Sequence, residues 1–86
     1  MKIRKKPIIV EGYELCFETI EFLVDNAKMR IELTPENKEC NIKYIIPTLE
    51  GEHIAKYGDI IIKGVCGEWY PCKRDIFYKT YEVIEE

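Results

Sequence analysis

Three consecutive isoleucines, Ile60-Ile61-Ile62, sit between Gly58-Asp59 and the reversal Gly64-Val65-Cys66-Gly67. No other feature constrains this chain as much. A strand with one wet face alternates apolar and polar side chains, whereas an unbroken β-branched run of strand length calls for cover on both faces. The run is therefore read as a central strand with a helix over one face. Glu68-Trp69-Tyr70-Pro71-Cys72 returns as the second strand of a hairpin. Lys73 to Lys79 then makes one or two helical turns, with Asp75 as a candidate cap and Ile76 and Phe77 holding the segment to the core. Gly58-Asp59 reads as a turn in which Asp59 accepts a backbone hydrogen bond.

The rest of the chain is assembled around this hairpin. Ile3 to Leu15 opens as a strand, with Pro7 at an edge, a start or a bulge and Gly12 at a bend. Residues 17–28 place Phe17, Ile20, Leu23, Val24 and Ala27 at helical spacing, with Thr19 as an alternative start. Met29, Ile31 and Leu33 alternate with polar residues, as do Ile42, Tyr44 and Ile46, and Pro35 to Lys38 forms the loop between these two strands. A second reversal falls at Glu50-Gly51, with Leu49 and Ile54 inward. Tyr81, Val83 and Ile84 form a last strand. The expected fold is α+β: a mainly antiparallel curved sheet with one longer helix and a short helix before the last strand, in one domain spanning residues 1–86.

Composition excludes several classes. A net charge of −3 does not supply the positive field that binding a long nucleic acid requires. The charge is uneven: Lys2, Arg4, Lys5 and Lys6 open the chain and Glu82, Glu85 and Glu86 close it, so neighbouring end strands would offset one another. No apolar run approaches the roughly 20 residues that span a bilayer, and the start lacks the apolar core of a signal peptide, which places the protein in the cytoplasm. Four cysteines there are free thiols. Cys16 reads as core, Cys40 lies beside a turn, and Cys66 and Cys72 can face one another across the hairpin. None forms the close pair a structural zinc site uses, so no metal and no cofactor is expected. An 86-residue chain buries a modest share of its surface, and a homo-oligomer would relieve that.

A resemblance rests on both ends of the chain. The segment Ile3-Arg4-Lys5-Lys6-Pro7-Ile8-Ile9-Val10-Glu11 is followed much later by Thr48-Leu49-Glu50-Gly51, Gly58-Asp59 and Ile61-Ile62-Lys63-Gly64-Val65. Gly67-Glu68, Tyr70-Pro71-Cys72-Lys73, Asp75-Ile76-Phe77 and Thr80-Tyr81-Glu82 complete the set. Together these resemble the opening and C-terminal signature of a widespread family of small phage and prophage proteins, known chiefly as uncharacterised. Residues 16–47 match it only in length and pattern. The family often has proline where Tyr57 stands, an aromatic at Ile60, a polar residue at Cys66 and proline at Arg74. The resemblance implies a phage protein acting in the host-cell cytoplasm.

Three kinds of site are weighed. An anion pocket would gather Lys5, Lys6, Lys63, Lys73 and Arg74, with Trp69 or Tyr70 stacking on a base. Helix N–H groups at Lys73-Arg74 would add to it. Its ligand would be a nucleotide or a small cyclic nucleotide, sequestered in counter-defence, and the competing reading is a solvated rim of lysines. A host-protein surface would use Tyr13, Tyr57, Trp69, Tyr78 and Tyr81 as anchors, and Trp69 and Tyr70 face opposite ways on their strand. A structural or accessory phage role is the third possibility. For catalysis, His53 with Glu50, Glu52 or Asp59 offers an acid–base pair, and Cys72 beside Lys73 and Arg74 offers a thiol of lowered pKa. With no serine and no fixed nucleophile, the expectation is a protein that is not an enzyme.

Overall fold

A computed structural model of the chain describes residues 1–4, 6–36 and 39–85, and the side chains of all of these except residues 34, 36, 39 and 40. Six strands and two helices follow in the order β1 (Glu11–Glu14), α1 (Ile20–Asn26), β2 (Arg30–Glu36), β3 (Glu39–Thr48), β4 (Gly51–Ala55), β5 (Ile60–Lys63), β6 (Trp69–Cys72) and α2 (Arg74–Thr80). The fold is α+β and its strand pairs are antiparallel. The strands form two sheets, β1-β5-β6 and β2-β3-β4.

Strand β5 lies between β1 and β6, with Ile60, Ile61 and Ile62 all buried. Side chains alternate across a strand, so Ile61 faces one side and its two neighbours the other. Ile61 joins Leu15, Leu23, Ala27, Met29, Tyr44, Ile46 and Ala55 in a core shared by both sheets and α1. On the opposite side α2 supplies the cover: Phe77 lies close over Gly12, which pairs with Ile62, and the Tyr81 and Tyr70 hydroxyls stand 3.3 Å apart.

The turns that frame β5 follow from local chemistry. Gly58 takes φ +98°, open to glycine and strained for other residues. Its N–H donates to the Leu15 carbonyl, the Leu15 N–H donates to the Asp59 carbonyl, and Asp59 Oδ2 accepts from the Lys56 N–H at 2.9 Å. At the other end the Glu68 carboxylate folds back to accept from the Cys66 N–H at 2.9 Å and lies directly over Gly64, where a β-carbon would collide with it.

Several sequence expectations are corrected. The first strand is only Glu11–Glu14; the described residues before it lie in no strand or helix, and neither do residues 81–85. Helix α1 starts at Ile20 because the Thr19 hydroxyl donates to the Glu14 carbonyl and accepts from the Cys16 N–H. Phe17 is thus left outside the helix and 84% exposed. The helix stops where Lys28 takes the left-handed φ of +58°, with the Ala27 and Met29 N–H groups both directed to the Leu23 carbonyl. Each helix has seven residues, so neither is the longer. Asp75 sits in the first turn of α2 but caps nothing; Lys73 holds the cap position without a side-chain bond.

The alternation over β2 and β3 is real, yet it does not bury everything inward. The register Ile31↔Tyr44 and Leu33↔Ile42 puts these four on one face. A ten-residue strand reaches about 33 Å and outruns the core beneath it. Tyr44 is buried, while Leu33 and Ile42 stand 67% and 52% exposed on a projecting arm. Residues 37 and 38 of the expected loop lie outside the described residues. On the outer face the Arg30–Glu52 ion pair reaches from β2 to β4 across β3, flanking the buried Ile45. Leu49 and Ile54, expected inward, are exposed because Leu49 lies in the turn and Ile54 shares the outer face with Ile45. The radius of gyration, 14.5 Å, exceeds the roughly 12 Å typical of this length, in keeping with the arm and the unpaired ends.

Candidate functional site

A cleft of about 770 Å³ opens between β4, the Lys56–Asp59 turn, the end of β6 and α2. His53 and Ile54 form one wall and Pro71 another. Lys73, Arg74, Asp75 and Tyr78 close it from the helix, and Lys56 and Asp59 from the turn. The volume lies within the range of small-ligand sites.

Each side chain arrives there for a local reason. The Asp59 turn fixes Lys56 one residue beyond β4. Lys73 is extended, at φ −61° and ψ 139°, and α2 begins only after it. Arg74 and Tyr78 stand four apart on the helix and therefore share a face; the guanidinium lies 5.5 Å from the Tyr78 ring and also pairs with Glu14 at the end of β1. Among the described residues no carboxylate forms an ion pair with Lys56 or Lys73. The lining thus carries two uncommitted ammonium groups, a guanidinium held over an aromatic ring, and the carboxylates of Asp59 and Asp75. Such a lining suits a ligand with both an anionic group and hydrogen-bond donors.

The candidate residues read from the sequence divide between places. Lys73 and Arg74 line the cleft. Lys63 does not: it pairs with Trp69 at the other end of the hairpin, its ammonium 5.9 Å from the indole ring. Trp69 packs against Tyr13 and Phe22, with ring centroids 5.8 and 6.4 Å away, at the margin of the core. Tyr70 faces α2, where burial and then the neighbouring Tyr81 hydroxyl push its phenol well above the ordinary value. Trp69 and Tyr70 are both half-buried and neither lines the cleft; Tyr78 is the aromatic that does. Lys6 lies in the exposed N-terminal segment. Lys5 lies outside the described residues, as does the side chain of Cys40.

The chemistry weighed for catalysis is rearranged as well. Glu52 is held by Arg30 on the face opposite His53, and that ion pair keeps its carboxyl below the usual range. Cys72 does not gain acidity from Lys73 and Arg74: burial, then the nearby Asp59 and Asp75, push its thiol up. Cys66 lies in the Gly64–Gly67 turn and Cys72 opposite Ile60 at the far end of the hairpin, so the two do not face one another. Cys16, Cys66 and Cys72 are free thiols. Lys56 and Tyr78 carry no motif in the sequence; the i,i+4 spacing of Arg74 and Tyr78 is the one signal that points to the latter.

No helix among the described residues is long and apolar enough to cross a membrane. No family model matches this chain, and neither a curated protein nor a solved structure does.

Proposed function

We propose that this chain is a non-enzymatic binding protein that holds a small anionic nucleotide in the cleft between β4, β6 and α2. The observation that carries the reading is the pair of uncommitted ammonium groups, Lys56 and Lys73, in one cleft with the Arg74–Tyr78 stack. Lys56 and Lys73 take the phosphate as charge-assisted partners. The exposed face of Tyr78 takes the base. Asp59 and Asp75 accept from ribose hydroxyl or exocyclic amino groups, so a nucleotide suits the site better than a bare anion. The resemblance to small phage proteins gives the setting: sequestration of a nucleotide messenger in the host cytoplasm as counter-defence.

A thermal-shift screen of linear and cyclic nucleotides, followed by titration calorimetry, tests this. Ligand at 100 times its Kd stabilises by about 2.7 kcal/mol, which raises the Tm of a domain this size by roughly 10–20 °C. Lys56→Glu and Lys73→Glu should each abolish the shift while leaving the unliganded melting temperature near its starting value. No shift with any nucleotide refutes the reading.

A second reading rests on a separate observation. Ile31, Leu33 and Ile42 form an exposed apolar face on the β2–β3 arm, of the kind a host protein could cover in an inhibitory contact. Leu33→Glu would weaken that contact and leave nucleotide binding intact.

A further inference from the structure

The two ends of the chain leave the same end of the β1-β5-β6 sheet. Glu11, where β1 begins, pairs with Lys63 beside the Gly64 turn. Helix α2 runs towards that end: Arg74 meets Glu14, then Phe77 lies over Gly12, and Tyr81 reaches Tyr70 one register step short of Trp69. The segment leading into Glu11 therefore arrives near where the segment after Tyr81 departs, and β1 and α2 run in opposite directions there.

Their charges are opposite as well. Residues 1–6 include Lys2, Arg4, Lys5 and Lys6, and the chain closes with Glu82, Glu85 and Glu86. Both segments hold aliphatic side chains in water: Ile3, Ile8 and Ile9 are 87%, 54% and 78% exposed, Val83 and Ile84 47% and 65%. Among the described residues this complementarity goes unused within one molecule. No ladder joins the two segments, and Lys2, Arg4 and Lys6 form no ion pair with Glu82 or Glu85.

We infer that the ends are a device for self-association: the basic N-terminal segment of one molecule lies antiparallel along the acidic C-terminal segment of a second copy, and the exchange is reciprocal. A two-stranded ribbon on its own is marginal in water, whereas two exchanged ribbons cover each other's aliphatic faces. Fully burying one such side chain removes roughly 60–120 Å² from water, from the transfer energy per residue and per unit area. Met1 with the five aliphatics above then gives on the order of 500 Å² per molecule, or about 1,000 Å² for the pair, at the threshold of a specific interface. The lysine and arginine stems add to it. The symmetry is a closed two-fold, because each copy gives and receives the same segments.

Paired charge reversals test the exchange, with light scattering after size exclusion as the readout. The unaltered chain at tens of micromolar should be a dimer. The variant Lys2→Glu/Arg4→Glu/Lys6→Glu should be a monomer, and so should Glu82→Lys/Glu85→Lys. An equimolar mixture of the two variants should restore a dimer containing one of each, seen by native mass spectrometry, since each then meets an opposite end on its partner. Circular dichroism of each variant should match the unaltered chain. A monomeric unaltered chain, variants that remain dimeric alone, or a mixture that stays monomeric overturns the inference.

Discussion

Truncating Ile62 tests whether β5 is sealed on both of its faces. Ile61 and Ile62 are 0% and 1% exposed on opposite sides of the strand, the first against the shared core and the second beneath α2. Deleting a buried isoleucine to alanine costs about 2–5 kcal/mol, the transfer of the lost groups plus the cavity left behind. A chain of this length is stable by roughly 4–13 kcal/mol, so either substitution removes a large share of the total. Ile62→Ala and Ile61→Ala should each lower stability by about 3 kcal/mol, or roughly 12–24 °C in Tm. Ile54→Ala makes the same chemical change at a position 60% exposed and should cost under about 0.5 kcal/mol. Urea unfolding followed by circular dichroism, with an unchanged m-value, measures all three. If Ile62→Ala costs no more than Ile54→Ala, α2 does not cover that face and the layered description of β5 is wrong.

Other outcomes follow from single features. Gly58→Ala has open space for its methyl yet should lose about 1–3 kcal/mol in the same assay, because φ +98° is strained for any side chain. Lys28→Gly should gain up to about 1 kcal/mol by relieving the left-handed residue that ends α1. Under limited iodoacetamide at neutral pH, peptide mapping should show the exposed Cys66 alkylated before Cys72, whose raised thiol pKa leaves little thiolate. Glu52 has a folded pKa held below its unfolded value by Arg30. Its contribution is present above the unfolded carboxylate pKa and lost as pH falls through the folded one. Arg30→Gln should therefore lower stability slightly at neutral pH, where the pair contributes, and flatten the acid limb of a stability–pH profile below about pH 4.5, so that the variant and the unaltered chain converge at low pH.

The parts of the fold that the sequence displays are those whose cause is local. A strand buried on both faces shows itself as an unbroken isoleucine run, and the Asp59 and Gly64 turns show as residue types because one side chain or one φ determines each. The ends misled for the converse reason. Ile8, Ile9 and Val10 suit a pleated surface, but β propensity does not state whether a neighbouring strand is present. Alternation in β2 and β3 gave the face correctly but not the depth, since nothing in Ile31 or Leu33 records where the core beneath them stops. The division into two sheets likewise leaves no mark in the pattern. In the cleft, Lys73 and Arg74 were legible as a basic pair before a helix. Lys63 joins them only if a first and a last strand bracket the hairpin; no described strand follows α2, and the length of β5 and β6 carries Lys63 to the other end. Lys56, His53 and Tyr78 come from three separate elements that only the tertiary fold unites.

The shared exit of the two termini has a practical corollary for anyone handling the protein. The cleft opens beside Asp59 and Lys73, at the opposite end of β5 from the Gly64 turn where the chain enters. A purification tag, biosensor tether or fluorescent fusion joined ahead of Glu11 or beyond Tyr81 therefore attaches at the end of the sheet away from the cleft, and on the exchange inferred above its bulk would obstruct a second molecule. If both proposals hold, immobilised preparations would report ligand capture with assembly switched off, and only tag-free material would report the two together.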